Sequence, residues 1–187
     1  MKNIVFYANC QYGGFQYFLE KIFPDAEFHI LMNYEIIKYK EDLRVDLLES
    51  ADLFIYQPIK KEHGIYSTEN ILKYIKEDCI KISFPYIFNS GTCGVVAEID
   101  SMIGEWKDSK TFNECIEIMR EKEKTTDISV SDFIVKNASK KLFMTQNHPT
   151  SPIYVECINQ LMKILGRPER FNHFEYEDNI MKPFMKM

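Results

Sequence analysis

Four short apolar runs, separated by stretches of helical period, limit most strongly what this chain can fold into. They lie near residues 3–8, 27–31, 51–57 and 79–84. Ile4, Val5, Phe6 and Tyr7 read as a short buried strand. Phe15, Phe18, Leu19, Ile22 and Phe23 then recur at helical spacing until Pro24 stops them. A helix over 41–49 carries Leu43, Leu47 and Leu48 on one face. Ser67-Thr68 can cap another that carries Ile71, Leu72 and Ile75. Pro58 and Pro85 close the third and fourth runs, because proline cannot donate to a strand ladder. Strands alternating with helices imply a parallel sheet covered on both faces. Right-handed crossovers leave few topologies, and strand order 2-1-3-4 is the one expected.

The second half reads as more helical. Helices are expected over 111–124 and 131–141, followed by a strand-like run at 142–145. Ser151 is a plausible N-cap with Pro152 at the first helical position, and that helix runs to Leu165 before Gly166 and Pro168 end it. The tail from Gly166 has no clear period, so no element is assigned to it. The expected fold class is α/β: a three-layer sandwich with a mostly parallel, flavodoxin-like sheet and a helical C-terminal half. Residues 1–187 are expected to form a single domain.

Bulk properties narrow the function classes. Net charge is −5, with no basic stripe, which argues against nucleic acid as a partner. No segment approaches the roughly 18 apolar residues of a membrane span. The first residues are strand-like and lack the apolar core and cleavage site of a secretory leader. Five cysteines with no CxxC pair fit neither a disulfide framework nor a zinc cage, so no metal is expected and a reduced cytoplasm is the simplest location.

In an open parallel sheet, ligands bind outside the carboxyl ends of the strands, where strand order reverses. Order 2-1-3-4 puts that crevice between the first and third strands, which end near Cys10 and Gln57. A thiol at a helix N-terminus faces unpaired N–H groups and the positive end of the helix dipole, which favour thiolate. The same position equally suits a small buried hydrophobe. Asn9, Gln11 and Gln57 are neutral amides that fit either an oxyanion hole or strand-end caps. Among the histidines, His29 falls in a strand, His63 in a charged loop and His173 in the tail. His148 stands ahead of a proline and a capped helix, with Thr145, Gln146 and Asn147 at hand to fix its tautomer. It reads either as a general base or as a loop histidine bonding its own turn. Cys93 is a second thiol of interest. The pairs Lys60-Lys61 and Lys140-Lys141 are weak candidates for phosphate binding.

Ala8-Asn9-Cys10-Gln11, the run from Ala51-Asp52 to Gln57, and Thr145-Gln146-Asn147-His148-Pro149-Thr150 together resemble the WcbI-type polysaccharide biosynthesis family, over roughly residues 3–166. The resemblance implies a fold related to SGNH-type esterases and binding of coenzyme A. It also implies transfer of an acyl group, acetyl from acetyl-CoA, to a sugar hydroxyl of a capsular or surface polysaccharide. Cys10 would occupy the place of the esterase nucleophile and His148 that of its histidine. Asn9, Gln11, Gln57, Thr145 and Asn147 would surround the coenzyme and the acyl group. The family usually has glycine where Ala8 stands. Two other functions use the same residues: a Cys-His ester or thioester hydrolase, and a binding protein without turnover. The acceptor sugar and the oligomeric state are not written in these motifs.

Overall fold

The computed structural model describes residues 2–89, 110–168 and 170–176. It divides into two compact units, Met1–Phe84 and Pro85–Met187. In the first, β1 (Asn3–Ala8), β2 (Glu27–Met32), β3 (Leu53–Tyr56) and β4 (Ile80–Ser83) form one sheet in the order β2-β1-β3-β4. Every pairing is parallel, with β1 running from Asn3 opposite Glu27 to Ala8 opposite Met32 on one side. On its other side β1 runs from Ile4 opposite Leu53 to Tyr7 opposite Tyr56. This is the α/β architecture and the strand order that the apolar runs predict.

The central strand is buried on both faces, as a parallel sheet requires. Val5, Tyr7 and Phe54 join Ile36, Leu48 and Ile71 in one core cluster. These last three belong to α2 (Asn33–Tyr39), α3 (Val45–Ser50) and α4 (Thr68–Ile71). Ile4 and Phe6 point the other way, towards α1 (Tyr12–Ile22), where the Phe6 and Tyr12 rings lie 5.9 Å apart. Phe15 of α1 packs its ring 4.4 Å from that of Phe84. Each fully buried side chain of this size contributes about 1.5–3 kcal/mol by leaving water.

Two boundaries in the first unit differ from the sequence reading. The helix expected over 41–49 starts only at Val45, and α2 precedes it. Lys40 separates the two in the left-handed region, at φ 53°. The helix expected from Ser67 is a single α-turn continued by a 3₁₀ turn, Leu72–Tyr74. A further 3₁₀ segment, Lys61–Tyr66, precedes it, and the buried Tyr7 phenol donates to the Tyr66 carbonyl at 2.7 Å.

The second unit contains α5 (Lys110–Glu123), α6 (Ser131–Lys136), β5 (Phe143–Thr145), β6 (His148–Pro149) and α7 (Ser151–Ile164). The α6 helix stops earlier than expected: Asn137 turns its side-chain amide back onto the Phe133 carbonyl at 2.9 Å. Asparagine competes in this way with continued helix. Glu123 accepts the backbone N–H groups of Val130 and Ser131 at 2.6 and 2.8 Å, tying α5 to the start of α6. At α7 the N-cap is Thr150, in extended conformation, so Ser151 is the first helical residue. The Thr150 hydroxyl donates to the Lys141 carbonyl instead of capping the helix. Gly166, at φ 66°, ends α7 as expected. Its N–H donates to Lys163 and that of Arg167 to Met162, the paired bonds of a left-handed helix stop. The tail, unplaced from sequence, docks on α7: Asn159 exchanges two bonds with the Phe171 backbone, at 2.9 and 2.8 Å.

Asp52 ties together the starts of β1 and β3. Its Oδ2 accepts the N–H groups of Lys2 and Asn3 at 2.7 and 3.0 Å, and its Oδ1 meets Lys76 Nζ at 2.9 Å. Those backbone donors, with Lys76, hold the carboxyl well below the usual carboxylate range. A depressed carboxylate stabilises the fold above its unfolded pKa and loses that contribution as pH falls towards its folded value. Asp52→Ala should therefore cost about 1–2 kcal/mol at neutral pH. In urea unfolding the deficit should shrink below about pH 4, where the unfolded carboxyl takes up its proton.

Candidate functional site

The chain turns sharply from β1 into α1 at Asn9-Cys10-Gln11. Tyr12 N–H donates to the Asn9 carbonyl and Gly13 N–H to that of Cys10, at 3.1 and 3.2 Å. The Asn9 side chain accepts the Gln11 N–H at 3.0 Å. Gln57, just past β3, reaches across to the same turn. Its Oε1 accepts the Asn9 N–H at 2.9 Å and its Nε2 donates to Gln11 Oε1 at 3.0 Å. Gln11 and Gln57 are buried, whereas Asn9 and Cys10 are half-buried. The structure thus brings Asn9, Cys10, Gln11 and Gln57 together at the carboxyl end of the sheet. The Gln11 and Gln57 side chains bond each other, and Gln57 also accepts a backbone N–H of the turn, so they hold its shape.

Burial governs the thiol. Desolvation pushes Cys10 above the ordinary thiol range, only partly opposed by a hydrogen bond from its own backbone N–H. The sequence reading expects the helix terminus to favour thiolate; here desolvation is the larger effect. Of the described cysteines, Cys79, Cys115 and Cys157 are buried and Cys10 is half-buried. Cys93 lies outside the described residues.

In the second unit, the β5–β6 hairpin gathers the other expected residues. Thr145 Oγ1 contacts His148 Nδ1 and donates to Asn147 Oδ1 at 3.2 Å. A hydroxyl has one proton to give, so a donor to Asn147 must accept from His148. Nδ1 then carries the hydrogen, and Nε2 keeps its lone pair. Burial lowers the His148 pKa, which keeps the ring neutral. The arrangement fits a general base with a fixed tautomer.

The remaining candidates have structural or surface roles. His29 lies in β2, 3.9 Å from Glu27. His63 lies in the 3₁₀ segment, 3.9 Å from Glu62. His173 pairs with Glu156 at 2.7 Å and stacks on Phe133. Lys61 pairs with Glu69 at 2.8 Å, and Lys140 lies over the Phe174 ring. Among the described residues, no group of three His, Cys, Asp or Glu is placed to hold a metal, and no helix is long and apolar enough to cross a membrane.

Sequence reasoning missed Tyr34 and Glu35. They follow β2 as Cys10 follows β1, and the strand-end rule applied to the second strand would have found them. Tyr34 donates to Glu35 Oε1 at 3.1 Å. Its phenol is pushed up to about 12, by burial first, then by Glu35, with Cys10 and Tyr12 adding smaller contributions.

A family model described as polysaccharide biosynthesis enzyme WcbI matches residues 3–105, more than half of the chain. A solved structure with a similar fold is described as native WcbI, a polysaccharide biosynthesis enzyme, without a disulfide bond between coenzyme A and one of its cysteines. The two share 19% identity at a TM-score of 0.70, over 95% of this chain and 73% of that one. Among curated proteins, none matches this sequence.

Accessibility and the raised pKa make opposite demands on Cys10, and alkylation separates them. Iodoacetamide followed by peptide mapping should modify Cys10 ahead of Cys79, Cys115 and Cys157. The rate should be slow at neutral pH and still rising at pH 9, the ordinary thiol value. A plateau already reached at pH 7 would show a thiolate that burial does not allow.

Proposed function

The chain belongs to the WcbI family of polysaccharide biosynthesis enzymes, and from that premise we propose that it moves an acetyl group from acetyl-CoA to a sugar hydroxyl of a capsular or surface polysaccharide. The observation that carries this reading is the half-buried Cys10 thiol, on a turn locked by Gln57 at the ligand-bearing end of the sheet. The similar solved structure is described by reference to a disulfide between coenzyme A and a cysteine, which makes coenzyme A the first ligand to try.

Cys10 is the acyl carrier and His148 the base. His148 Nε2 takes the thiol proton as sulfur attacks the thioester carbonyl. The bond from that carbonyl to the coenzyme sulfur breaks, and the proton leaves with the departing thiol. In the second half the sugar hydroxyl attacks the S-acetyl group, giving its proton to His148. The carbon–sulfur bond to Cys10 breaks, and His148 returns the proton to the thiolate. Exchange between two thioesters is nearly isoenergetic, so a thiol suits the first half. The base has real work to do, because burial keeps Cys10 a thiol at rest. Asn9 offers its amide to the carbonyl oxygen in both halves. Gln11 and Gln57 keep that amide and the thiol in place, while Thr145 and Asn147 set the His148 tautomer.

Steady-state transfer assays with acetyl-CoA and purified glycans test the scheme. Cys10→Ala and His148→Ala should each lower kcat by at least about a hundredfold. The double variant should lose little more, because the two act as one unit. The acidic limb of the kcat/KM profile should lie below the ordinary imidazole value of 6.5, since burial holds His148 down. If Cys10→Ala keeps substantial transfer while His148→Ala loses it, the sugar attacks acetyl-CoA directly. Release of free acetate in place of glycan ester would mark a hydrolase.

A further inference from the structure

The central strand has a neighbour on each side, and the two sides of Cys10 differ. On the β3 side, Gln11 and Gln57 are buried and bonded to each other. On the β2 side, the register of Ala8 with Met32 brings the residues that follow both strands to one edge: Asn9-Cys10 after β1 and Asn33-Tyr34-Glu35 after β2. Tyr34 is a large aromatic ring left 45% exposed there. Glu35 is half-buried and accepts a hydrogen bond from the Tyr34 phenol at 3.1 Å. Burial is the main cause that raises the Tyr12 and Tyr34 phenols, with smaller electrostatic contributions from Cys10 and Glu35 at both.

The chemistry of this side selects its ligand. A carboxylate repels phosphate, so the β2 side is a poor place for the anionic parts of a coenzyme. A pyranose offers the complementary surface: an apolar C–H face for an aromatic ring, and a rim of hydroxyl donors for a carboxylate. Carboxylates accept such bonds more strongly than neutral oxygens do. The Tyr34 phenol is held protonated and adds a polar group beside the ring, so one residue can meet both parts of a sugar.

We infer that Tyr34 and Glu35 form a carbohydrate subsite beside Cys10, with the sugar ring on the Tyr34 face and its hydroxyls bonded to Glu35. Its role as the acceptor subsite rests on the transferase reading above; its ability to bind sugar does not. Tyr34 and Glu35 are positioning residues, and the proton transfers need neither of them.

Saturation-transfer NMR on the full chain tests this, with the methyl glycosides of glucose, galactose, mannose and N-acetylglucosamine as probes at millimolar concentration. At least one probe should contact the wild-type protein, and equally the Cys10→Ala protein. Tyr34→Ala and Glu35→Gln should each weaken that binding about tenfold, corresponding to about 1.4 kcal/mol. Both residues are at least partly exposed, so the thermal midpoint and coenzyme A binding should be unchanged. If none of the four probes binds the wild-type protein, or if binding survives both substitutions, the subsite is overturned. Sugar binding that depends on Tyr34 and Glu35 without any acetyl transfer would keep the subsite and remove the transferase. Transfer that is indifferent to both substitutions would do the reverse.

Discussion

The Gln57 side chain is the interaction on which the geometry around Cys10 depends. One amide satisfies the backbone N–H of Asn9 and the side-chain oxygen of Gln11 at once, joining the end of β3 to the turn that leaves β1. Both glutamines are buried, so removing either partner would strand a polar group, at about 1–3 kcal/mol each. A parallel sheet places the ends of adjacent strands side by side, but it does not set the angle at which the chain departs. Gln57 and the Asn9–Gln11 bond set it here. The thiol between them has its backbone held on both sides and its side chain half-buried. At the opposite end of the same strand pair, Asp52 does the corresponding work by binding two backbone N–H groups and Lys76.

Desolvation then decides the resting charge state. It raises Cys10 and lowers His148, so each is neutral near pH 7. Neither group resembles a preformed thiolate–imidazolium pair. A neutral thiol resists oxidation and stray alkylation, and it becomes a nucleophile only when a base takes its proton during attack. The Thr145–Asn147 chain gives His148 the tautomer that such a base needs. The proposed transfer needs no charged resting state, because its protons pass between groups that start neutral.

Much of this fold is legible in the sequence because the strands are short, apolar and separated by stop signals. Strand order β2-β1-β3-β4 is the one that handedness rules favour, and Pro24, Pro58 and Gly166 mark real ends. Cys10 and Gln57 could be placed on one edge for the same reason. Elements set by local competition were harder. Lys40 enters the left-handed region without being glycine, which hid the break between α2 and α3. Asn137 ends α6 through a side-chain bond that periodicity does not encode. Thr150 takes the cap position because its N–H is drawn to the Leu142 carbonyl, a hairpin contact invisible in a helical pattern. Tail docking rests on Asn159 and His173, polar residues whose partners are fixed only by the fold. Amide roles were the least legible: Asn9, Gln11 and Gln57 look alike in sequence, and only burial and bonding separate the half-buried Asn9 from the two that lock the turn.

The central claim is that this locked turn presents Cys10 as an acyl carrier. Acid-quenched mass spectrometry of the protein after brief exposure to acetyl-CoA, without acceptor sugar, tests it most directly. The account predicts an added mass of one acetyl group on the Cys10 peptide, labile to hydroxylamine and absent from the His148→Ala protein. An unmodified Cys10, in protein that still transfers acetyl to a glycan with no lag, would contradict it.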